Sequence, residues 1–397
     1  MIKNTADPVV SRVCIALVVL AALLVVIVWF AYRETAVEIP LVEAPIKVDN
    51  SLEPQPPNVR FTDITKSAGI DFMHRNGGAG DRLLPETMGG GGAFFDLDND
   101  GDQDLLLIDS GRLPSQPGRD NLSSRLRLYR NDGSGRFEDI SSSAVTPDDF
   151  YDMGVALGDY DQDGWTDVFV TAVGENRLYR NHEGRLEDVT ATAGVAGRTV
   201  DWSTGASFVD VDQDGDLDLF VANYVIWAPD IDRKVNFRIT GIGRAYGPPN
   251  AFAGSDAYLY RNLGDARFED ISVNSGIRVA HPHSGEPIAK ALAVLPVDID
   301  RDGAIDLFVA NDTVRNFLFR NLGDGRFEEV GTDYGVAYDR NGAATGAMGV
   351  DSGHLFGDQE LAIAIGNFAN EMSSLYVTSE GRAPLSDQAV IAGIGPA

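Results

Sequence analysis

The sequence predicts an all-β chain built as a β-propeller, with four-stranded sheets repeated around an axis, and three observations carry that expectation. First, a nine-residue acidic loop returns four times: DLDNDGDQD at 96, DYDQDGWTD at 159, DVDQDGDLD at 210 and DIDRDGAID at 298. Second, each copy lies between short apolar runs, such as GGAFF and LLLI or GASFV and LFVA, which reads as strand, tight loop, strand. Third, a further hairpin signature follows every loop: LYRNDGSGRFEDI at 128, LYRNHEGRLEDV at 178, LYRNLGDARFEDI at 259 and LFRNLGDGRFEEV at 318. Asn and Gly supply its turn. Two hairpins give four strands per unit, and loop starts 51 to 88 residues apart fit propeller blades with insertions.

Taken in order, the units place 33, 20, 50 and 21 residues between the first loop position and the aromatic of LYRN or LFRN. The excess marks insertions near 109 to 125 and 225 to 256, and long irregular connections are where binding specificity commonly resides. A fifth unit is legible when MGVDSGHLFGDQELAIAIGNF at 348 is aligned with MGVALGDYDQDGWTDVFVTAV at 153. His354, Phe356, Asp358 and Ala362 then fall at the carboxylate positions and Gln359 replaces the glycine, so this blade is expected to stand on packing alone. FTDIT at 61 has the form of a blade's last strand, yet GRAPLSDQAV at 381 takes the same place after the fifth unit. Two segments compete for one position, so the five repeats form either a five-bladed ring or, as favoured here, an incomplete one with exposed sheet edges.

The acidic loops have the chemistry of a hard-cation cage. Ca²⁺ takes six to eight oxygens at about 2.3–2.6 Å, and Asp at positions 1, 3, 5 and 9 with a backbone carbonyl at 7 wraps them around one point. The expected ligands are Asp96, Asp98, Asp100 and Asp104; Asp159, Asp161, Asp163 and Asp167; Asp210, Asp212, Asp214 and Asp218; and Asp298, Asp300, Asp302 and Asp306. Asp102, Trp165, Asp216 and Ala304 would offer the carbonyl oxygen. Glycine at position 6 lets the chain turn with a backbone dihedral that other residues avoid. An EF-hand also begins D-x-D-x-D-G, but it needs a bidentate Glu at position 12. Here Leu107, Val170, Val221 and Val309 stand there, inside apolar strands. Mg²⁺ is disfavoured because it keeps several of its waters. Four Ca²⁺ sites are therefore expected.

These units resemble the FG-GAP or VCBS repeats of integrin α-subunit propellers. More closely, HRNGGAGDRLLPETMGGGGAFFDLDNDGDQDL, DWSTGASFVDVDQDGDLDLFVANYV and LFVANDTVRNFLFRN are similar to the cartilage acidic protein family with its ASPIC/UnbV members. The resemblance covers residues 58 to about 397. It implies a secreted or surface protein carrying a calcium-laden propeller, although no ASPIC/UnbV domain is recognisable in this chain.

Ahead of the repeats, residues 13–32, VCIALVVLAALLVVIVWFAY, run uncharged for 20 residues, enough for a helix to cross the ~30 Å hydrocarbon core. Lys3 and Arg12 precede this run and Glu34, Glu38 and Glu43 follow it. The expected order is a cytoplasmic tail at 1–12, a single-pass transmembrane signal anchor at 13–32, a Pro-containing linker at 33–57 and an extracytoplasmic propeller at 58–397. A cleaved signal peptide is the rival, disfavoured by the length of the run and by the lack of an A-x-A site. The lone Cys14 rules out an intrachain disulfide.

A formal net charge of −28 argues against nucleic acid as a partner, since phosphate contacts need clustered Lys and Arg. MGGGG at 88 precedes a strand rather than a helix, and no G-x-S-x-G elbow occurs, which speaks against phosphate cradling and against a hydrolase nucleophile. No catalytic residue is assigned. The expected function is a membrane-anchored, calcium-binding interaction module for a protein or glycan ligand. The alternative is a carbohydrate-active enzyme, because similar repeats resemble those used by some polysaccharide lyases; His281, His283, Glu286 and Lys290 would be its first candidates.

Overall fold

A computed structural model describes residues 59–113, 126–146, 150–355 and 360–395. Within the compact unit Asp63–Ala397, each repeat folds as a four-stranded antiparallel meander in which each of its four strands pairs with the next of the four. Sheet I holds β1 (Gly92–Phe95), β2 (Asp104–Ile108), β3 (Leu126–Asn131) and β4 (Phe137–Asp139). Sheet II holds β5 (Tyr151–Gly158), β6 (Asp167–Val173), β7 (Arg177–His182) and β8 (Arg185–Asp188). In sheet III, β9 (Ser203–Val209) and β10 (Asp218–Asn223) are separated by a long insertion from β13 (Tyr258–Asn262) and β14 (Phe268–Asp270). The insertion contains a helix at Pro229–Val235 and a small hairpin, β11 (Arg238–Ile239) with β12 (Gly243–Arg244). Sheet IV holds β15 (Ala291–Val297), β16 (Asp306–Asn311), β17 (Phe317–Asn321) and β18 (Phe327–Glu329). Sheet V holds β19 (Ala347–Leu355), β20 (Glu360–Asn367), β21 (Ser374–Ser379) and β22 (Arg382–Asp387).

The sequence pattern explains the layering. Second strands such as VFVTAV and LFVAN are buried along most or all of their length, as strands covered on both faces must be. Fourth strands are short and carry exposed carboxylates, which blunts the outer edge of each sheet. The apolar core lies between consecutive sheets. Phe95, Leu106 and Leu128 of sheet I meet Val168, Val170 and Tyr179 of sheet II, and Phe220 and Leu259 of sheet III meet Leu307 and Phe319 of sheet IV. First strands pack in order, β1 on β5, β5 on β9, β9 on β15 and β15 on β19. Among the described residues no comparable packing returns from β19 to β1, so the sheets are not closed.

After each fourth strand the chain makes one helical turn. The turns occupy α1 (Ser141–Ala144), α2 (Thr190–Ala193) and the segments at 271–276, 330–335 and 388–393. A turn of the same kind stands at 64–69, ahead of sheet I. The expected strand at FTDIT does not form: residues 61–64 have no ladder partner. β22 already fills the fourth place of sheet V, as the GRAPLSDQAV reading anticipated, and a strand without a free neighbouring edge has nothing to pair with. The expected anchor at 13–32, with its flanking tail and linker, lies outside the described residues. Among those described, no helix is long and apolar enough to cross a membrane.

Candidate metal centre

Each acidic loop joins the first and second strands of sheets I to IV, and its backbone is folded by its own carboxylates. The position 1 aspartate accepts the N–H of the position 6 glycine in all four loops, from Gly101, Gly164, Gly215 and Gly303 at 3.0 to 3.1 Å. The position 5 aspartate accepts the N–H of Asp102, Trp165, Asp216 or Ala304 at position 7, at 2.8 to 3.0 Å. The glycines hold φ between +87 and +94°, a region costly for any residue with a Cβ. One oxygen each from Asp96, Asp98 and Asp104 lies within 4.8 Å of the others, and the same holds for Asp159, Asp161 and Asp167 and for Asp210, Asp212 and Asp218. In the fourth loop the close trio is Asp298, Asp300 and Asp302.

Position 9 belongs to the fold as well as to the cluster. Asp104, Asp167, Asp218 and Asp306 are buried at the head of the second strand. Each accepts two backbone N–H groups, one from loop position 2 and one from the Asn of the LYRN or LFRN strand, as when Asp218 takes Val211 N at 2.9 Å and Asn262 N at 2.8 Å. Burial pushes Asp167 and Asp218 up to about 7 and Asp306 to about 6, with the neighbouring loop aspartates adding to the rise. Asp104 moves in the same direction for the same first cause.

Position 3 carries the unmet demand. Burial, followed mainly by crowding from adjacent aspartates, raises Asp98, Asp212 and Asp300; burial also raises Asp161, whose rise Arg180 opposes. The Oδ1 atoms of Asp98, Asp161 and Asp212 are buried with no hydrogen-bond donor. A buried carboxylate oxygen without a donor costs kcal/mol of desolvation unless a cation meets it. The donor set is all oxygen and all acidic, which fits a hard divalent ion such as Ca²⁺. In the second loop the Arg180 guanidinium stands against Asp161 and Asp163, at 2.6 and 2.8 Å. Its counterparts Arg130, Arg261 and Arg320 pair instead with Glu138, Glu269 and Glu328 of their own hairpins.

Two sets of residues that sequence reasoning missed tie the loops together. The first is position 4, with φ of +54 to +63°. Asn99 Nδ2 donates to Gly164 O at 3.0 Å, Gln162 Nε2 to Gly215 O at 2.9 Å and Gln213 Nε2 to Gly303 O at 3.0 Å, each reaching the position 6 carbonyl of the next loop. The second is the Asn that ends LYRN or LFRN. Asn181, Asn262 and Asn321 donate from Nδ2 to Leu97 O, Tyr160 O and Val211 O, the position 2 carbonyls of the preceding loop, at 2.8 to 2.9 Å. The signal was present as an amide in the same slot of three loops, but its partner sits in another sheet and no local spacing points to it.

The remaining candidates are dispersed. His281, His283 and Glu286 are exposed on one turn, with the two imidazole centroids 5.7 Å apart. Lys290 is buried, donates to Pro249 O at 3.0 Å and has its pKa lowered by burial. Of the fifth unit's aligned positions, Phe356, Asp358 and Gln359 lie outside the described residues; His354 pairs with Leu361 and Ala362 with Gly353 in the β19–β20 ladder. The third-unit insertion is pinned by Asp232, which accepts Trp227 Nε1 at 2.9 Å, Leu84 N at 2.8 Å and Arg244 Nη2 at 2.8 Å. Leaving the far end of β10, this insertion lies at the opposite end of sheet III from its acidic loop.

With this geometry in view, the chain is similar to known repeat proteins. The model of the FG-GAP-like repeat matches residues 96–170 and 159–221, so FG-GAP-like repeats are present in the first three units. No curated protein matches the sequence. Among solved structures, one similar chain is an Agrocybe aegerita lectin described for recognition of non-reducing terminal N-acetylglucosamine, with 15% identity and a TM-score of 0.42. That match covers 74% of this chain and 65% of the lectin, so this chain spans less than two thirds of that relative. Another is BBS1N in complex with ARL6DN, at 11% identity and a TM-score of 0.35, covering 73% of this chain and 80% of that one.

Proposed function

We propose that the chain is a calcium-binding, propeller-type interaction module, tethered to a membrane by residues 13–32 with its repeats outside the cytoplasm, and a relative of the cartilage acidic proteins. The observation that carries the calcium reading is the buried, donor-free Oδ1 of Asp98, Asp161 and Asp212, the same atom in the same slot of three loops. Position 1, 3, 5 and 9 carboxylates would hold the ion, and the position 7 carbonyls of Asp102, Trp165, Asp216 and Ala304 would complete the shell. An ion there ties first and second strands at the same points where the Asn and Gln amides tie one sheet to the next.

The module binds rather than catalyses in this reading, and the insertion of the third unit is its contact surface. Phe237, Ile239, Ile242 and Tyr246 stand 37 to 63% exposed on a segment held in place by Asp232, and an ordered, exposed apolar cluster marks an interaction site. The ligand is a protein or a glycan. Calcium titration by calorimetry on residues 58–397 is expected to show four sites, and heat for fewer than two would sink the reading. Ile242→Asp with unchanged calcium uptake is the companion variant: it should abolish ligand capture while leaving the titration as it was.

A further inference from the structure

The arginine of LYRN or LFRN recurs in four units at one register, and in one of them it finds a different partner. Arg130, Arg261 and Arg320 stand opposite Glu138, Glu269 and Glu328 across the third and fourth strands, and each guanidinium donates to the carboxylate it faces. Arg180 stands opposite Glu187 in the same way, yet its guanidinium turns to Asp161 at 2.6 Å and Asp163 at 2.8 Å. Among the described residues the Glu187 carboxylate has no ion-pair partner. A sequence difference goes with the exception: four residues lie between Asn181 and Leu186, where the other three hairpins place five between the paired Asn and Phe.

Asp161 and Asp163 are positions 3 and 5 of the second acidic loop. The Asp161 side chain is only 9% exposed beneath the guanidinium, and its Oδ1 still lacks a donor, so Arg180 meets part of the loop's demand and leaves the rest. A guanidinium and a dication drawn to the same two carboxylates repel each other at a few ångströms. Arginine cannot escape by losing its proton. It has to move, and Glu187 offers the acceptor that its three counterparts already use. Four copies of one side chain thus display both positions within a single chain.

We propose that Arg180 sets the calcium affinity of the second loop, competing with the ion for Asp161 and Asp163 and yielding to it by swinging across to Glu187. The proposal rests on the calcium reading of the loops and adds that their sites are not equivalent. The loops of the first, third and fourth units, whose arginines are held by glutamates, fill first. The second fills last, and it alone exchanges one ion pair for another as it does so.

Trp165 stands at position 7 of the second loop, and no other acidic loop holds a tryptophan. In the full chain, the part of the calcium-dependent fluorescence that Trp165→Phe removes therefore reports this site, while calorimetry follows the other three. The Trp165 midpoint is expected at a calcium concentration at least tenfold above theirs. Arg180→Gln should bring it into their range, and Glu187→Gln, which removes the alternative acceptor, should raise it severalfold further. The heats of the other three loops, unchanged in both variants, check that the fold is intact. A Trp165 midpoint that already coincides with the others, or that Arg180→Gln leaves in place, overturns the proposal and spares the calcium reading; one that Glu187→Gln does not move overturns the exchange of partners. Absence of calcium heat from every loop would overturn both.

Discussion

Asn262 shows how much one amide does here. Its Nδ2 donates to Tyr160 O in sheet II and Leu217 O in its own loop, its N–H bonds Asp218, and its Oδ1 takes Gly264 N. Asn262→Ala strands two carbonyls and is expected to cost about 2–3 kcal/mol in denaturant unfolding. Asn131, whose Nδ2 donates to Gln103 O of its own loop, should cost only about 1 kcal/mol on the same change. Asp212→Asn is expected to remove one calcium equivalent in calorimetry, because the amide brings neither the charge nor the second oxygen. Glu86 gives a pH prediction away from the loops. It is 3% exposed with Oε1 lacking a donor, and burial raises its pKa. The native state therefore holds this proton to higher pH than the unfolded chain does, so stability is lost as pH rises through the native value. Glu86→Gln should raise the melting temperature at pH 8 and make progressively less difference towards pH 4. The aspartates were legible because the spacing of a cation cage is local. Asn262 and Gln213 were not singled out, since their partners lie more than 80 residues away or in another sheet.

At the level of elements, the strands could be read from alternating apolar runs and Asn-Gly turns because both signals are set within a few residues. FTDIT shows the limit of that reading: its pattern is that of β14 or β18, but a strand exists only where an edge is free to receive it. The helix at Pro229–Val235 was missed because it lies in an insertion whose conformation is fixed by Asp232 reaching Trp227, Leu84 and Arg244. The helical turns supply a paired test, because they receive the fourth strand of the sheet that follows: Ala68 O accepts Phe137 N, Ser275 O accepts Phe327 N and Tyr334 O accepts Leu385 N, at 2.7 to 2.8 Å. Gly276 has φ of +86° and a Cβ there would lie 2.3 Å from Phe327 O, whereas one on Gly393, at φ of +77°, meets nothing within 4 Å. Gly276→Ala should therefore cost clearly more than the ~1–2 kcal/mol of left-handed backbone alone, and Gly393→Ala no more than that. Equal losses in chemical denaturation would mean that the turn at 271–276 does not carry sheet IV.

Across the whole molecule, charge and packing pull in opposite directions. The net charge of −28 favours expansion, while four dications would offset eight of those charges at the points where sheets meet. Saturating calcium at ~100 times Kd is worth about 2.7 kcal/mol per site, so chelation is expected to lower the melting temperature by roughly 10 °C or more. An unchanged melt in excess chelator would contradict the cage. The number of repeats was legible from the sequence, and so was the incomplete ring, from the two segments competing for one last-strand place; which turn each sheet packs on was not, because it depends on contacts between repeats rather than on any one repeat. That dependence runs in one direction, since every turn lies N-terminal to the sheet it receives. A chain leaving the ribosome N-terminus first would thus meet each landing place before the strands that need it, and could add its layers one by one as translation proceeds.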